Sequence, residues 1–161
     1  MNSIVDEERT DAAKGLGRED PAEVIALVRG ILEDSDHLPI KRDAVSAIAY
    51  TRSDLALDAL LELSVDLECE PELRAQATEG LGYVIQFKSR GHPRYEEISD
   101  ALIARLGDSE ALVHVWAIQA LGVAFVKKAK PALVPLAFDD RAAVDDKCWG
   151  TVRDEARAAL Y

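Results

Sequence analysis

The chain has 161 residues, 48% of them hydrophobic but only 6% aromatic, and a formal net charge of −11. That composition allows one domain with a core of Ala, Leu, Val and Ile. The acidity excludes general binding to nucleic acid, which needs a concentrated basic surface, and suits a partner whose own surface is basic.

A first helix is expected over about residues 3–16, closed by Gly15 and Gly17. Asp20-Pro21 opens the next, with Asp as N-cap and Pro in the first helical position. Val24, Leu27, Val28, Ile31 and Leu32 form its buried face. After the turn Asp34-Ser35-Asp36-His37, a helix runs from Pro39 through Tyr50, and Ser53 or Asp54 caps its successor. Leu57, Leu60, Leu61 and Val65 form the core stripe of that helix. Asp54, Asp58, Glu62 and Asp66 recur every four residues and line its exposed face. Pro71 begins a helix that reaches Phe87, followed by an insertion holding Lys88, Arg90, Gly91, His92, Pro93 and Arg94. From Tyr95 to Leu106 the spacing turns Ile98, Leu102 and Leu106 inward and Glu96, Glu97 and Asp100 outward. Asp108-Ser109 caps a helix over Glu110–Ala124. A short helix at Pro131–Phe138, bent by Pro135, a polar turn over Asp139–Lys147 and a last helix over Cys148–Tyr161 complete the chain.

One ten-residue frame recurs. Val113–Gly122 (VHVWAIQALG) matches Leu73–Gly82 (LRAQATEGLG) and Val152–Tyr161 (VRDEARAALY), with weaker copies at Ile40–Ala49 and Glu8–Gly17. Each copy tends to an apolar first position, a base second, Ala fifth, a small residue eighth and an aliphatic ninth. The apolar and small positions share a helical stripe that lets a neighbouring helix approach closely. A period of 32 to 40 residues with helical pattern inside each unit is the signature of a stacked helical array.

The frame resembles the HEAT repeat, above all the short bacterial HEAT-like units of phycobilin lyases. The resemblance implies an all-α, right-handed HEAT-like α-solenoid of about four helix pairs plus a final single helix. It would form one domain over 1–161, with units near 3–34, 38–66, 71–107, 109–139 and 147–161. The second helices of the pairs would line the concave side. In such families an acid six residues before the second-slot base commonly pairs with it, and here only Glu68–Arg74 and Asp108–His114 keep that spacing. His114 therefore reads as a turn clamp.

No catalytic constellation is legible. His37, His92 and His114 fall in different units, and no metal-ligand cluster, phosphate loop or nucleophile elbow appears. No metal or other cofactor is expected. Cys69 and Cys148 read as reduced thiols. The first residues carry neither a basic nor an apolar region, and no apolar run is long enough to span a membrane. A cytoplasmic protein that avoids both membranes and nucleic acid is expected. Turns within a unit are basic (Arg18, Arg52, Lys88, Arg90, Arg94, Lys127, Lys128, Lys130) and turns between units acidic, which places the two charge sets on opposite edges. Trp116 occupies a slot that is polar elsewhere, so it either packs beneath the Tyr83–Phe87 segment or anchors a partner.

The expected function is a non-catalytic protein-interaction scaffold. It would bind a basic partner through an acidic concave face made by Asp54, Asp58, Glu62, Asp66, Glu97 and Asp100, with Trp116 as a further contact. An immunity- or inhibitor-type protein, a bilin-lyase-like chaperone subunit and an enzyme are the alternative readings.

Overall fold

Proline stands in the first turn of four helices, where its missing N–H leaves no hydrogen bond unmade. The computed structural model describes residues 11–15, 20–88, 90–144 and 149–161. The expectations for residues 3–10 and 16–19 and for Asp145, Asp146, Lys147 and Cys148 lie outside them. Helix α1 is described over residues 11–15. It is followed by α2 (Pro21–Asp34), α3 (Leu38–Thr51), α4 (Asp54–Val65), α5 (Pro71–Ile85), α6 (Tyr95–Arg105) and α7 (Ala111–Val123). A 3-10 turn (Lys127–Ala129) leads into α8 (Lys130–Leu136), a hairpin of β1 (Ala142–Val144) and β2 (Trp149–Thr151), and α9 (Val152–Leu160). Side chains close the helix starts: Asp20 accepts from the Glu23 amide at 3.0 Å, Ser53 from Ala56 at 3.0 Å and Thr151 from Asp154 at 3.2 Å.

The fold is mostly helical. Helices α3, α5, α7 and α9 pack side by side in chain order, and each is backed by the even-numbered helix before it. The core between the two rows includes Ile31, Ile48, Leu60, Leu81, Leu102 and Ile118, all fully buried. Helix α7 is apolar nearly all round because α5, α6, α9 and β1 enclose it. By contrast α9 buries Val152 and Ala156 and turns Asp154 and Arg157 outward. Among the described residues no helix is long and apolar enough to cross a membrane.

The C-terminal part corrects the sequence reading. The last helix starts at Val152, not Cys148, and part of the expected polar turn is strand. Ala142 pairs with Thr151 and Ala143 with Gly150 in antiparallel register. The ladder continues into the Val152 amide, which donates to the Arg141 carbonyl at 3.0 Å. Thr151 is extended (φ −108°, ψ 153°) because one residue both ends the strand and caps the helix.

Small residues set the spacing of the front row, at equivalent positions in three interfaces. A Cβ built on Gly80 would lie 3.3 Å from that of Ala49, one on Gly82 2.5 Å from that of Ala120, and one on Gly122 3.2 Å from that of Ala159. In each case the tenth slot of one frame meets the eighth slot of the next. Gly82→Ala should therefore cost about 1–3 kcal/mol by overpacking, although Ala is intrinsically the better helix former by about 1 kcal/mol. Gly15→Ala, whose Cβ would meet nothing within 4 Å, should be neutral or stabilising. Urea unfolding of the two variants checks both signs.

Candidate functional site

The predicted acidic residues are where helical spacing put them. Asp54, Asp58 and Glu62 on α4, Asp66 at its C-cap, and Glu97 and Asp100 on α6 are all exposed. Most are not free, which corrects the expectation of an open acidic face. Lys88 Nζ lies 2.9 Å from Asp54, and Arg94 bridges Asp58 and Glu97 at 2.7 Å each. Lys128 reaches Asp100 at 2.7 Å and also binds Glu96. Arg29 on α2 faces Glu62 at 3.4 Å. The hydrogen bond from Lys88 holds the Asp54 carboxyl below its ordinary value, and that from Arg94 does the same for Glu97.

Part of the basic set named in the sequence is likewise paired and not free. The even helices start at the edge where the basic loops return, so a base of one helix pair lands on the acids of the pair before it. Lys88 and Asp54 are 34 residues apart and Lys128 and Glu96 are 32 apart, close to one period. Trp116 is half-buried against the core.

At the opposite edge the second-slot cations clamp the turns, but with different partners from those predicted. Arg74, 4% exposed, donates through Nε and Nη2 to the two oxygens of Asp108, each at 3.3 Å, rather than to Glu68. Its Nη1 donates to the Cys69 carbonyl at 2.9 Å. Burial pushes the Asp108 carboxyl up, but the Glu110 amide and the guanidiniums of Arg74 and Arg105 outweigh it and hold the group below its ordinary value. Lys41 likewise reaches forward to Glu70, 29 residues on. His114 Nε2 bonds the Asp108 carbonyl, not its carboxylate, while Nδ1 lies 3.1 Å from the Arg141 guanidinium. With Nε2 as donor and Nδ1 as acceptor, the neutral ring is fully used and burial pulls its pKa down. Arg141 is anchored in turn on Asp139 at 2.6 Å and on the Ser109 carbonyl at 3.1 Å.

A further feature with binding geometry is a groove of about 320 Å³ between α2 and α4, closed at one end by the start of α5. Ile25, Val28, Leu32, Ile48, Leu63 and Leu73 make its apolar wall. Its charged rim carries Glu33, Glu62, Asp66 and Glu70 against only Arg29 and Lys41. Glu62 pairs with Arg29 and Glu70 with Lys41, leaving Glu33 and Asp66 without a cation among the described residues. Cys69 sits at the closed end, 3.1 Å from the Asp66 carbonyl, and burial raises its thiol pKa. Thus the groove joins Glu62 and Asp66 but none of the other predicted contacts. The sequence signal for it was present in α2, where Ile25 and Leu32 give the helix more apolar residues than one core stripe uses.

Among the described residues no group of three or more His, Cys, Asp or Glu side chains converges as a metal site. No family model and no curated protein matches the chain.

Two stability measurements test the clamp. Asp108→Ala strands the buried Arg74 and should cost about 3–5 kcal/mol, whereas Glu62→Ala, losing an exposed pair, should cost no more than about 1 kcal/mol. Denaturant midpoints of the two variants distinguish these outcomes. Because the folded-state pKa of His114 lies below the ordinary 6.5, the unfolded chain takes up that proton first. Its contribution is intact above 6.5 and is lost as the pH falls through the folded value. Unfolding free energy should therefore decline just below pH 6.5 in the parent, and less steeply in His114→Asn. Asp139, held at about 2 chiefly by its hydrogen bond from Arg141, adds a further loss below 3.8.

Proposed function

We propose that the chain is a HEAT-like α-solenoid that works as a non-catalytic protein-interaction module. Its partner is a basic amphipathic segment, seated in the groove between α2 and α4. One observation carries this reading: an apolar wall is framed by four carboxylates and two cations, so among the described residues the rim keeps uncompensated negative charge at Glu33 and Asp66. A helical segment with Leu or Ile along one face and Lys or Arg beside it matches both the wall and the rim. The one-period spacing of the ion pairs and the repeated small-residue contacts support the solenoid. Asp54, Asp58, Glu97 and Asp100 are assigned to holding neighbouring helices together, and Glu62, Asp66 and Glu33 to the partner.

The test is fluorescence anisotropy with a labelled Leu/Lys amphipathic peptide at low and moderate salt. The parent should bind it, and more weakly as salt rises. Glu33→Lys with Glu62→Lys should slow association and flatten the salt dependence while leaving the melting curve close to the parent's. Equal binding by the double variant, or amide shifts mapping away from α2 and α4, would sink the groove reading.

A further inference from the structure

The C-terminal ends of the front-row helices define three successive gaps along one edge. Between α3 and α5 the gap is filled. Tyr50 packs edge-on against Tyr83 at 5.4 Å, Tyr83 against Phe87 at 5.1 Å, and the Arg52 guanidinium lies 3.5 Å from the centre of the Phe87 ring. The next two gaps are open. One, between the ends of α5 and α7, is a cavity of about 460 Å³ lined by Ile85, Lys88, Arg90 and Tyr95. The other, between the ends of α7 and α9, is also about 460 Å³ and is lined by Leu121, Val126, Lys127, Lys130 and Leu133.

Phe125 borders both cavities and is 73% exposed. It holds φ at 51°, the left-handed region that a residue with a side chain avoids. That conformation closes the C-terminal end of α7, where the Val126 amide donates to the Leu121 carbonyl at 3.0 Å. Glycine would serve the cap as well, so the backbone gives no reason for a large ring left in solvent.

The charge here is opposite to that of the molecule. Among the described residues neither cavity has an Asp or Glu side chain in its lining. Arg90, Lys127 and Lys130 have no carboxylate partner among the described residues, unlike Lys88 and Lys128. The surface therefore suits an apolar side chain flanked by carboxylates. The chain carries such an element in the turn after α4. Leu67 is 71% and Val65 51% exposed there, beside Asp66 and Glu68. That turn precedes the start of α5, whereas Phe125 lies beyond the opposite ends of the helices. The 15 residues of α5 separate the two by about 22 Å, so no copy can serve itself.

We infer that the Phe125 edge is a docking surface for a second copy of this chain, which presents its Val65–Glu68 turn. Leu67 of one copy packs against Phe125 of the other, and Asp66 and Glu68 meet Lys127 and Lys130. The contact is heterologous, because the two patches differ. The net charge of −11 on each copy opposes approach, but it is screened beyond about 8 Å at physiological salt, whereas pairs in contact are not. Exposed aromatics with lysines could also stack single-stranded nucleic acid. The apolar concave linings and the negative charge elsewhere favour the acidic turn. The turn shares Asp66 with the α2/α4 groove, but neither Leu67 nor Phe125 lines that groove, so variants at those two positions test the docking surface separately from the groove reading.

Sedimentation velocity over a concentration series at physiological salt tests it. The parent should rise above monomer mass, while Leu67→Asp and Phe125→Asp should each stay monomeric with unchanged helical circular dichroism. An equimolar mixture of those two variants should form a one-to-one dimer, because one keeps an intact turn and the other an intact edge. Phe125→Gly, which relieves the left-handed backbone, should melt no lower than the parent yet fail to associate. A parent that is monomeric throughout, a mixture that stays monomeric, or association by Phe125→Gly equal to the parent's would each overturn the inference. So would Phe125-dependent retention of labelled single-stranded RNA by a protein that remains monomeric.

Discussion

Arg74 and Asp108 form an ion pair with almost no water around it, and the middle of the molecule, from the end of α4 to the segment before β1, is tied to that pair. Removing two charges from solvent is costly unless geometry and additional hydrogen bonds compensate. Here they do. Both carboxylate oxygens take a guanidinium N–H, one of them also accepts the Glu110 amide, and the third arm of Arg74 closes on the Cys69 carbonyl. The pair joins α5 to the turn that starts α7. Arg105 approaches the same carboxylate and donates to the Ser64 carbonyl at 2.9 Å, which brings in the ends of α6 and α4. His114 and Arg141 extend the network to the segment leading into β1.

Two kinds of contact divide the remaining task. Small residues in the eighth and tenth slots decide how near successive front-row helices can come. Ion pairs offset by about one period then decide which turn of each helix meets which turn of its neighbour. An exposed pair such as Arg29–Glu62 contributes little by itself. Its value lies in direction, since a helix sliding past its neighbour would separate several such pairs together.

Helix starts were legible because Pro21, Ser53 and Pro71 act through their own backbone geometry and need no tertiary partner. The small slots were legible because Ala and Gly recurred at fixed offsets. Arg74's partner was not. A frame places an acid six residues upstream, but a guanidinium on a long stem reaches the next turn as readily as its own. Similarly, the acids of α4 and α6 were recognised as exposed, while their neutralisation by Lys88, Arg94 and Lys128 depends on where the loops return. The hairpin escaped because three-residue strands with Ala and Gly carry almost no period-two signal. As for the groove, its apolar residues could be read in α2, but its width is set by the distance between two helices that are not consecutive.

The direction of the ion pairs has a consequence for how such a chain can change length. Along one edge Lys41 and Arg74 hand a cation forward to the following helix pair; along the other, Lys88, Arg94 and Lys128 hand one backward. The α5–α6 pair therefore gives and receives on both sides. Duplicating or deleting one whole pair in register closes the pattern again and leaves no Arg74-type cation buried alone. A cut inside a pair would break it on both edges. Growth and loss by whole helix pairs are thus open to this architecture, and any other step is penalised by its own electrostatics.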